Sequence, residues 1–134
     1  MKHRFGIDTS VLVRLLTGDP EKDYRKTVDA LEALIAGEPG SRLVASNQVI
    51  GEAYIAVQHH YGVTKKEARA ALLEVFASGL VSPLNGASAL KAIAVQTGCG
   101  LFDRLIVDDY QRHDVVTVTN DRKMAALPEV RRLW

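Results

Sequence analysis

A chain of 134 residues is about as long as one ordinary domain and can bury a hydrophobic core without a disulfide or a structural metal. Hydrophobic residues make up 47% of the chain and charged residues 25%, which excludes the compositions typical of disordered proteins. A formal net charge of +1 excludes a strongly basic coat for nucleic acid, and the single cysteine, Cys99, excludes an intramolecular disulfide.

Apolar residues recur at intervals that predict alternating strands and helices along the chain. In the first half these are a strand at residues 5–7, helices at 11–16 and 20–37, a strand at 43–45 and a helix at 47–61. In the second half they are a helix at 64–79, a strand at 80–84, helices at 86–97 and 102–113, a strand at 115–119, a short helix that opens at 120–121 and an edge strand at 130–134. Asp19 is expected to cap the second helix, and Thr64 and Glu67 have the spacing of a capping box.

Strands that alternate with helices predict right-handed crossovers and a parallel sheet with helices on both faces. We therefore expect one α/β domain over residues 1–134, with three α/β/α layers around a central, mainly parallel sheet of four to five strands. The sequence has no linker, no apolar stretch of membrane-spanning length and no signal-peptide pattern. We expect a cytoplasmic protein that does not contact a membrane.

Two acids follow predicted strands directly, and functional groups of such folds gather where parallel strands end. Asp8 follows the first strand, and Asp121 follows the strand at 115–119. Each has an alternative role, because an Asp in that position often caps the helix or turn that comes next. Position alone leaves both roles open for both residues.

Two further acids lie on predicted helices beside apolar residues. Glu52 borders the apolar stripe of the helix at 47–61, and its alternative role is that of a rim residue neutralised by Arg or Lys. Asp103 lies where a helix begins, and its alternative role is that of a cap, with Phe102 packed against Val107. None of these acids has the local spacing of a known metal motif.

If these strand ends and helices converge, the four acids share one cleft. Like charges about 4 Å apart repel by roughly 4 kcal/mol at an effective dielectric of about 20, so such a cluster needs protons or cations. Oxygen ligands without His or Cys favour hard ions, which makes Mg²⁺ or Mn²⁺ the expected cofactor. Hydrolysis of a phosphodiester with the help of such ions is the chemistry that this arrangement serves best.

Four short segments resemble, in order and spacing, those of PIN domains, and within that superfamily those of the toxins of VapBC-type toxin–antitoxin pairs. The segments are IDTSVL at 7–12, SNQVIGE at 46–52, FDRLI at 102–106 and VTNDR at 118–122. The resemblance implies a PIN-like fold and an endoribonuclease that depends on Mg²⁺ or Mn²⁺ and hydrolyses RNA. It also implies a homodimer that is silenced by a VapB-like antitoxin, a segment of which enters the active-site groove.

The resemblance assigns roles to particular residues. The metal-binding and catalytic acids that it implies are Asp8, Glu52, Asp103 and Asp121. The side chains that it places beside them in support are Thr9, Thr119 and Asn120. Candidates for contacts with RNA phosphates, each with ordinary solvated surface as its alternative, are Arg104, Arg122 and Lys123. The sequence departs from the family pattern at Arg104 and Met124, where a small and an aromatic residue are common.

Other functions fit parts of this pattern. A PIN scaffold can act mainly as a protein- or RNA-binding module, or as a solitary RNA-processing nuclease without an antitoxin. By analogy of fold, a phosphatase of the haloacid-dehalogenase type also has an Asp after its first strand, but it needs a second Asp where Ser10 stands. A receiver domain needs adjacent acids before its first helix and a lysine after a late strand, and neither is evident.

Overall fold

Short strands alternate with longer helices along residues 3–134, the part of the chain that the computed structural model describes. The strands are β1 (Arg4–Gly6), β2 (Arg42–Ala45), β3 (Val81–Pro83), β4 (Thr117–Thr119) and β5 (Val130–Arg132). The helices are α1 (Thr9–Thr17), α2 (Glu21–Gly37), α3 (Asn47–Tyr61), α4 (Lys65–Ala77), α5 (Ala87–Ala94) and α6 (Leu101–Arg112). The first two residues of the predicted domain lie outside the described residues. Within the described ones, no helix combines the length and apolarity needed to cross a bilayer.

The strands pair in parallel, as their alternation with helices predicts, but they form two separate ladders. One ladder has the order β1-β2-β3, with Arg4 opposite Arg42 and Leu43 opposite Val81. The other contains only β4 and β5, with Thr117 opposite Val130. The parallel α/β class is therefore as predicted, whereas the five strands divide between two ladders instead of forming one continuous sheet.

Two hydrophobic clusters explain this division of the strands. The main core surrounds the first ladder, and its fully buried side chains include Leu12, Leu43, Ile50, Leu72, Val81, Ile93, Leu101 and Leu105. A second, small cluster consists of Cys99, Val107 and Met124, with Leu127 and Val130 packed against it. Val130 of β5 packs on this second cluster. Since β4 pairs with β5, it also lies beside the second cluster and does not join the main ladder.

Local capping signals set the limits of α3 and α4. The Ser46 side chain accepts a hydrogen bond from the Val49 amide at 3.2 Å, and Gly62 ends α3 in the left-handed conformation at φ 65°. Thr64 and Glu67 form both bonds of the predicted capping box at the start of α4. The first of these helices, α3, carries Glu52 and its hydrogen-bond partner Gln48.

Three of the predicted helix limits are wrong. Asp19 does not cap α2, because Pro20 occupies the N-cap position and no side chain caps that end. The helix predicted at 86–97 ends at Ala94, since Val95 already has extended backbone geometry before Gly98. The last predicted helix is a single 3₁₀ turn at Met124–Ala126.

Candidate active site

Asp8 lies at the carboxyl end of β1 and caps α1. Its Oδ1 accepts hydrogen bonds from the Val11 amide at 3.1 Å and from the Ser10 hydroxyl at 2.8 Å. These bonds, that from Val11 first, hold the pKa of Asp8 below its ordinary value. The capping role is therefore present, but it uses one oxygen, and Oδ2 makes no hydrogen bond with the described residues. Asp8 is exposed, so this second oxygen remains accessible to a ligand.

Glu52 is tied to the start of α1 through Thr9. The Thr9 hydroxyl donates to one oxygen of Glu52 at 2.6 Å, and the Gln48 amide donates to the other at 3.0 Å. Hydrogen bonds from Thr9 and then Gln48 lower the pKa of Glu52, so the carboxylate is ionised at neutral pH. Glu52 takes part in none of the ion pairs within residues 3–134, so its alternative role as a rim residue neutralised by Arg or Lys is wrong.

Asp103 is half-buried in the first turn of α6. Gly100 occupies the N-cap position and no side chain caps the helix, so the alternative role of Asp103 as a cap is wrong. Burial, and then the negative charge of Asp121, raise the pKa of Asp103 above its ordinary value. The negative charges of Asp103 and Asp121 therefore repel each other, and neither carboxylate forms an ion pair within residues 3–134.

Asp121 is held by the strand end and by the 3₁₀ turn that follows it. Its backbone amide donates to the Thr119 hydroxyl at 3.0 Å, and its Oδ1 accepts from the Met124 amide at 2.8 Å. Thr119 thus contacts the backbone of Asp121, and its supporting role in the site stays a prediction. Asn120 is exposed and makes no side-chain hydrogen bond with the described residues, so a supporting role for it stays a prediction.

Asp103 and Asp121 line a cavity of about 370 Å³. Its other lining residues are Tyr54, Lys65, Lys66, Arg69, Gln96, Gly98, Cys99, Gly100 and Lys123. Asp8 and Glu52 are not among them, and in the described chain no three side chains of the His, Cys, Asp or Glu type are grouped closely enough to hold a metal ion. The structure thus presents the acids as two pairs of different kinds: Asp103 and Asp121 line one cavity, whereas Asp8 and Glu52 are linked only through Thr9, the residue next to Asp8.

A contact between α3 and α6 connects the two pairs. The ring of Phe102 lies against the backbone of Gly51, so close that a Cβ placed on this glycine would be 2.9 Å from the ring carbons. Phe102 therefore packs across to α3 and not only along its own helix. Since Glu52 follows Gly51 and Asp103 follows Phe102, the contact places one acid of each pair beside the same helix crossing.

Comparison with known families identifies the fold. The PIN domain model matches residues 6–130, which is nearly the whole chain. The chain belongs to the PIN domain family. The PIN-like α/β/α fold and the resemblance to PIN domains are thereby confirmed.

Among solved structures, this PIN domain is similar to the crystal structure of Mycobacterium tuberculosis VapC20, described as a toxin that cleaves the sarcin–ricin loop. The two share 17% sequence identity, the match covers 98% of this chain and 99% of that one, and the TM-score is 0.37. A likeness this weak carries no argument about substrate. No curated protein matches the chain in sequence.

The three basic residues proposed for phosphate contacts have different surroundings in this PIN domain. Arg104 is engaged in the loop between α5 and α6, where its Nη2 donates to the Thr97 carbonyl at 2.7 Å and its Nε is buried without a partner. Lys123 lines the cavity of Asp103 and Asp121, whereas Arg122 is exposed outside it. Of the three, Lys123 is the best placed to contact a ligand in the cavity.

Sequence reasoning missed the basic residues of α4 that line the same cavity, Lys65, Lys66 and Arg69. Their spacing places them near one another at the amino end of that helix, and tertiary packing, including that of α4 against α5 and of α5 against α6, brings them to the cavity of the acids. One local signal was present, since two lysines in the first turn of a helix oppose the helix dipole.

Proposed function

We propose that this PIN domain is an endoribonuclease that depends on Mg²⁺ or Mn²⁺ and acts as the toxin of a toxin–antitoxin pair. The observation that carries the proposal is that Asp103 and Asp121 line one cavity beyond the end of β4, with neither carboxylate in an ion pair within the described part of the chain. Burial, and then the charge of Asp121, raise the pKa of Asp103, so a cation bound beside the two carboxylates would favour their ionised forms. Membership of the PIN family supports nuclease activity.

The donor set fits a hard divalent cation. All four acids offer carboxylate oxygens, and Oδ2 of Asp8 and Oδ2 of Asp121 accept no hydrogen bond from the described residues. Mg²⁺ is commonly bound by one or two carboxylates, with water and substrate phosphate as its other ligands, so a pair of acids is sufficient. We infer that Asp103 and Asp121 form the centre of the site and that Asp8 and Glu52 complete it.

Each residue then has a defined task. The ion, when bound, supplies the Lewis acidity that activates water and neutralises charge on the phosphate. Thr9 and Gln48 keep Glu52 ionised, and Thr119 orients the backbone at Asp121. The Gly51–Phe102 contact holds α6 against α3 and thereby sets the separation of Asp103 from Glu52. The chain contributes positioning and negative charge, which is what an RNA hydrolase of this kind requires.

The toxin role rests on the four motifs of the sequence, which resemble those of VapBC toxins. The toxin role implies an RNA substrate, a VapB-like antitoxin as partner and a homodimer. These three features and a cytoplasmic location stay predictions. Expression of the wild-type chain should arrest growth, and expression of D103N should not. Growth arrest relieved by the product of a small neighbouring reading frame would support the antitoxin partnership, whereas RNA cleavage without growth arrest would indicate a solitary nuclease.

The direct test is cleavage of a structured RNA by the purified protein in Mn²⁺ or Mg²⁺, with a chelator as the negative control. We expect D8N and D103N to lower the rate by more than about 100-fold, because losing even a hydrogen-bond partner of a metal ligand costs about 10–100-fold. Asn retains the ability of Asp to cap α1, so D8N should stay folded.

D29N is the matched control, since Asp29 is an exposed acid on α2 away from the site and its substitution removes the same charge. D29N should cleave as the wild type does. Cleavage by D8N and D103N at the rate of D29N, or wild-type cleavage that persists in chelator, would reject the proposed function.

A further inference from the structure

The cavity that holds Asp103 and Asp121 has a second, cationic side. This basic wall consists of Lys65, Lys66, Arg69 and Lys123. Four cations thus face two acids in one cavity, although the formal net charge of the whole chain is only +1. With a divalent cation on the acids, the cavity as a whole would be strongly positive, and its complement is a ligand with more than one negative charge.

Arg69 is the anchor of the basic wall. Its side chain is only 5% exposed, and its Nη1 donates to the carbonyls of Ala92 at 3.2 Å and Ile93 at 2.9 Å and also to that of Val95. The guanidinium lies 5.8 Å from the centre of the Tyr54 ring, a cation–π contact. These contacts hold the guanidinium at one place on the cavity wall.

Two nitrogens of the Arg69 guanidinium have no polar partner within the described chain. None of the ion pairs in residues 3–134 includes Arg69, and its Nε and Nη2 make no hydrogen bond with the described chain. These two atoms are not among the fully buried polar atoms that lack a partner, so they keep some exposure, and Arg69 lines the cavity. A buried charge normally has an ionic partner, whereas Arg69 has backbone carbonyls as its partners, beside a space that a ligand can enter.

Lys65 and Lys66 extend the positive charge to the mouth of the cavity. Both are exposed and lie in the first turn of α4, where the helix dipole disfavours cations. Exposed lysines are usually ordinary solvated surface. These two differ because they share a cavity with a buried arginine that has no carboxylate partner within the described residues.

We propose that the basic wall binds a backbone phosphate of the RNA strand next to the phosphodiester that is cut. The inference that the strand is RNA rests on the proposed function. The inference that the bound group is a phosphate rests on the positive charge of the basic wall and on the guanidinium of Arg69, whose planar geometry matches phosphate oxygens. A cavity of about 370 Å³ has room for a phosphate with part of its nucleotide.

Equilibrium binding in chelator tests this proposal without cleavage. The probe is a fluorescently labelled single-stranded oligoribonucleotide, and its anisotropy is followed over a range of salt concentrations. We expect K65Q/K66Q to bind on the order of tenfold more weakly at about 0.1 M salt, with the slope of log affinity against log salt reduced by about 0.7 for each phosphate that the protein no longer neutralises. R69K, which keeps the charge but loses the fork, should also weaken binding, and its melting temperature checks that it is folded.

K22Q/K26Q is the matched control, because Lys22 and Lys26 are exposed on α2, do not line the cavity and carry the same charge. It should bind as the wild type does, apart from a small general effect of charge. Equal affinities and slopes for the two double variants would overturn the proposal. So would a wild-type chain that fails to bind the RNA, or one that instead binds an oligoglutamate peptide through Lys65 and Lys66.

The outcomes separate this inference from the proposed function. RNA binding that depends on Lys65 and Lys66, in a protein that never cleaves RNA, would reject the nuclease and retain the phosphate site. Cleavage that depends on the acids, with binding that is indifferent to the lysines, would retain the nuclease and reject the phosphate site.

Discussion

Three of the four candidate acids, Asp8, Glu52 and Asp103, have shifted pKa values, and the shifts differ in direction. Hydrogen bonds from the Val11 amide and the Ser10 hydroxyl lower the pKa of Asp8, and those from Thr9 and Gln48 lower the pKa of Glu52. Asp103 has the opposite shift, because burial and then the charge of Asp121 raise its pKa. The pair on the cavity is therefore the electrostatically unfavourable one, and it gains most from a cation.

The raised pKa of Asp103 predicts how stability depends on pH. The folded state binds this proton more tightly than the unfolded state, so the contribution of Asp103 to stability is greatest at low pH and is lost as pH rises above the ordinary value of 3.8. In chelator at neutral pH, D103N should have a higher melting temperature than the wild type. The difference should shrink as pH falls into the range where Asp103 is protonated, and an equal or lower melting temperature for D103N at neutral pH would contradict this explanation.

Thr9 is predicted to act through Glu52. Replacing it by Val keeps the shape and removes the hydroxyl that donates to Glu52 at 2.6 Å, so the pKa of Glu52 should rise. RNA cleavage should fall by about 10-fold, the lower end for the loss of a hydrogen-bond partner to a metal-binding side chain. T27V is the control, because Thr27 on α2 donates only to the Asp23 carbonyl. Equal cleavage by T9V and T27V would remove Thr9 from the site.

Among the helices, the crossing of α3 and α6 matters most for the site. In G51A the new Cβ would be 2.9 Å from the Phe102 ring, so α6 must move or the ring must turn. We expect G51A to destabilise the fold by about 1–3 kcal/mol, as other overpacked cores do, and to lower RNA cleavage because Asp103 moves with α6. Chemical denaturation and the cleavage assay measure the two effects.

G37A provides the matched comparison for G51A. A Cβ at Gly37, the last residue of α2, meets nothing within 4 Å, so this variant should be neutral or more stable by up to about 1 kcal/mol. Adding F102L to G51A makes room for the new methyl group and should recover part of the stability. If G51A is as stable and as active as G37A, the crossing does not set the position of Asp103.

The helix limits were predictable where the signals are local. Residues 47–61 match α3 because Ser46 caps one end and Gly62 the other, and the capping box at Thr64 marks the start of α4. The role of Asp103 as a cap was a plausible alternative that the structure contradicts, since Gly100 occupies the N-cap position. Such choices depend on backbone geometry at a loop, which apolar periodicity does not encode.

At the scale of the whole molecule, the sequence predicts which four acids form the site but does not predict their arrangement. The motifs give their order along the chain, whereas their pairing depends on how β4 and β5 form a ladder of their own beside the main core. The basic wall was missed for the same reason, because the meeting of Lys65, Lys66 and Arg69 with Asp103 and Asp121 is a consequence of tertiary packing. The arrangement of the candidate site is therefore determined mainly by contacts between segments that are distant in the sequence.

Calorimetric titration with Mn²⁺ tests most directly whether Asp103 and Asp121 belong to one metal site. The wild type and the control D29N should bind Mn²⁺ alike, and D103N and D121N should each weaken binding at least about tenfold, since each removes a carboxylate ligand. Binding that is equally strong in all four proteins, or absent from the wild type, would contradict the account of the site.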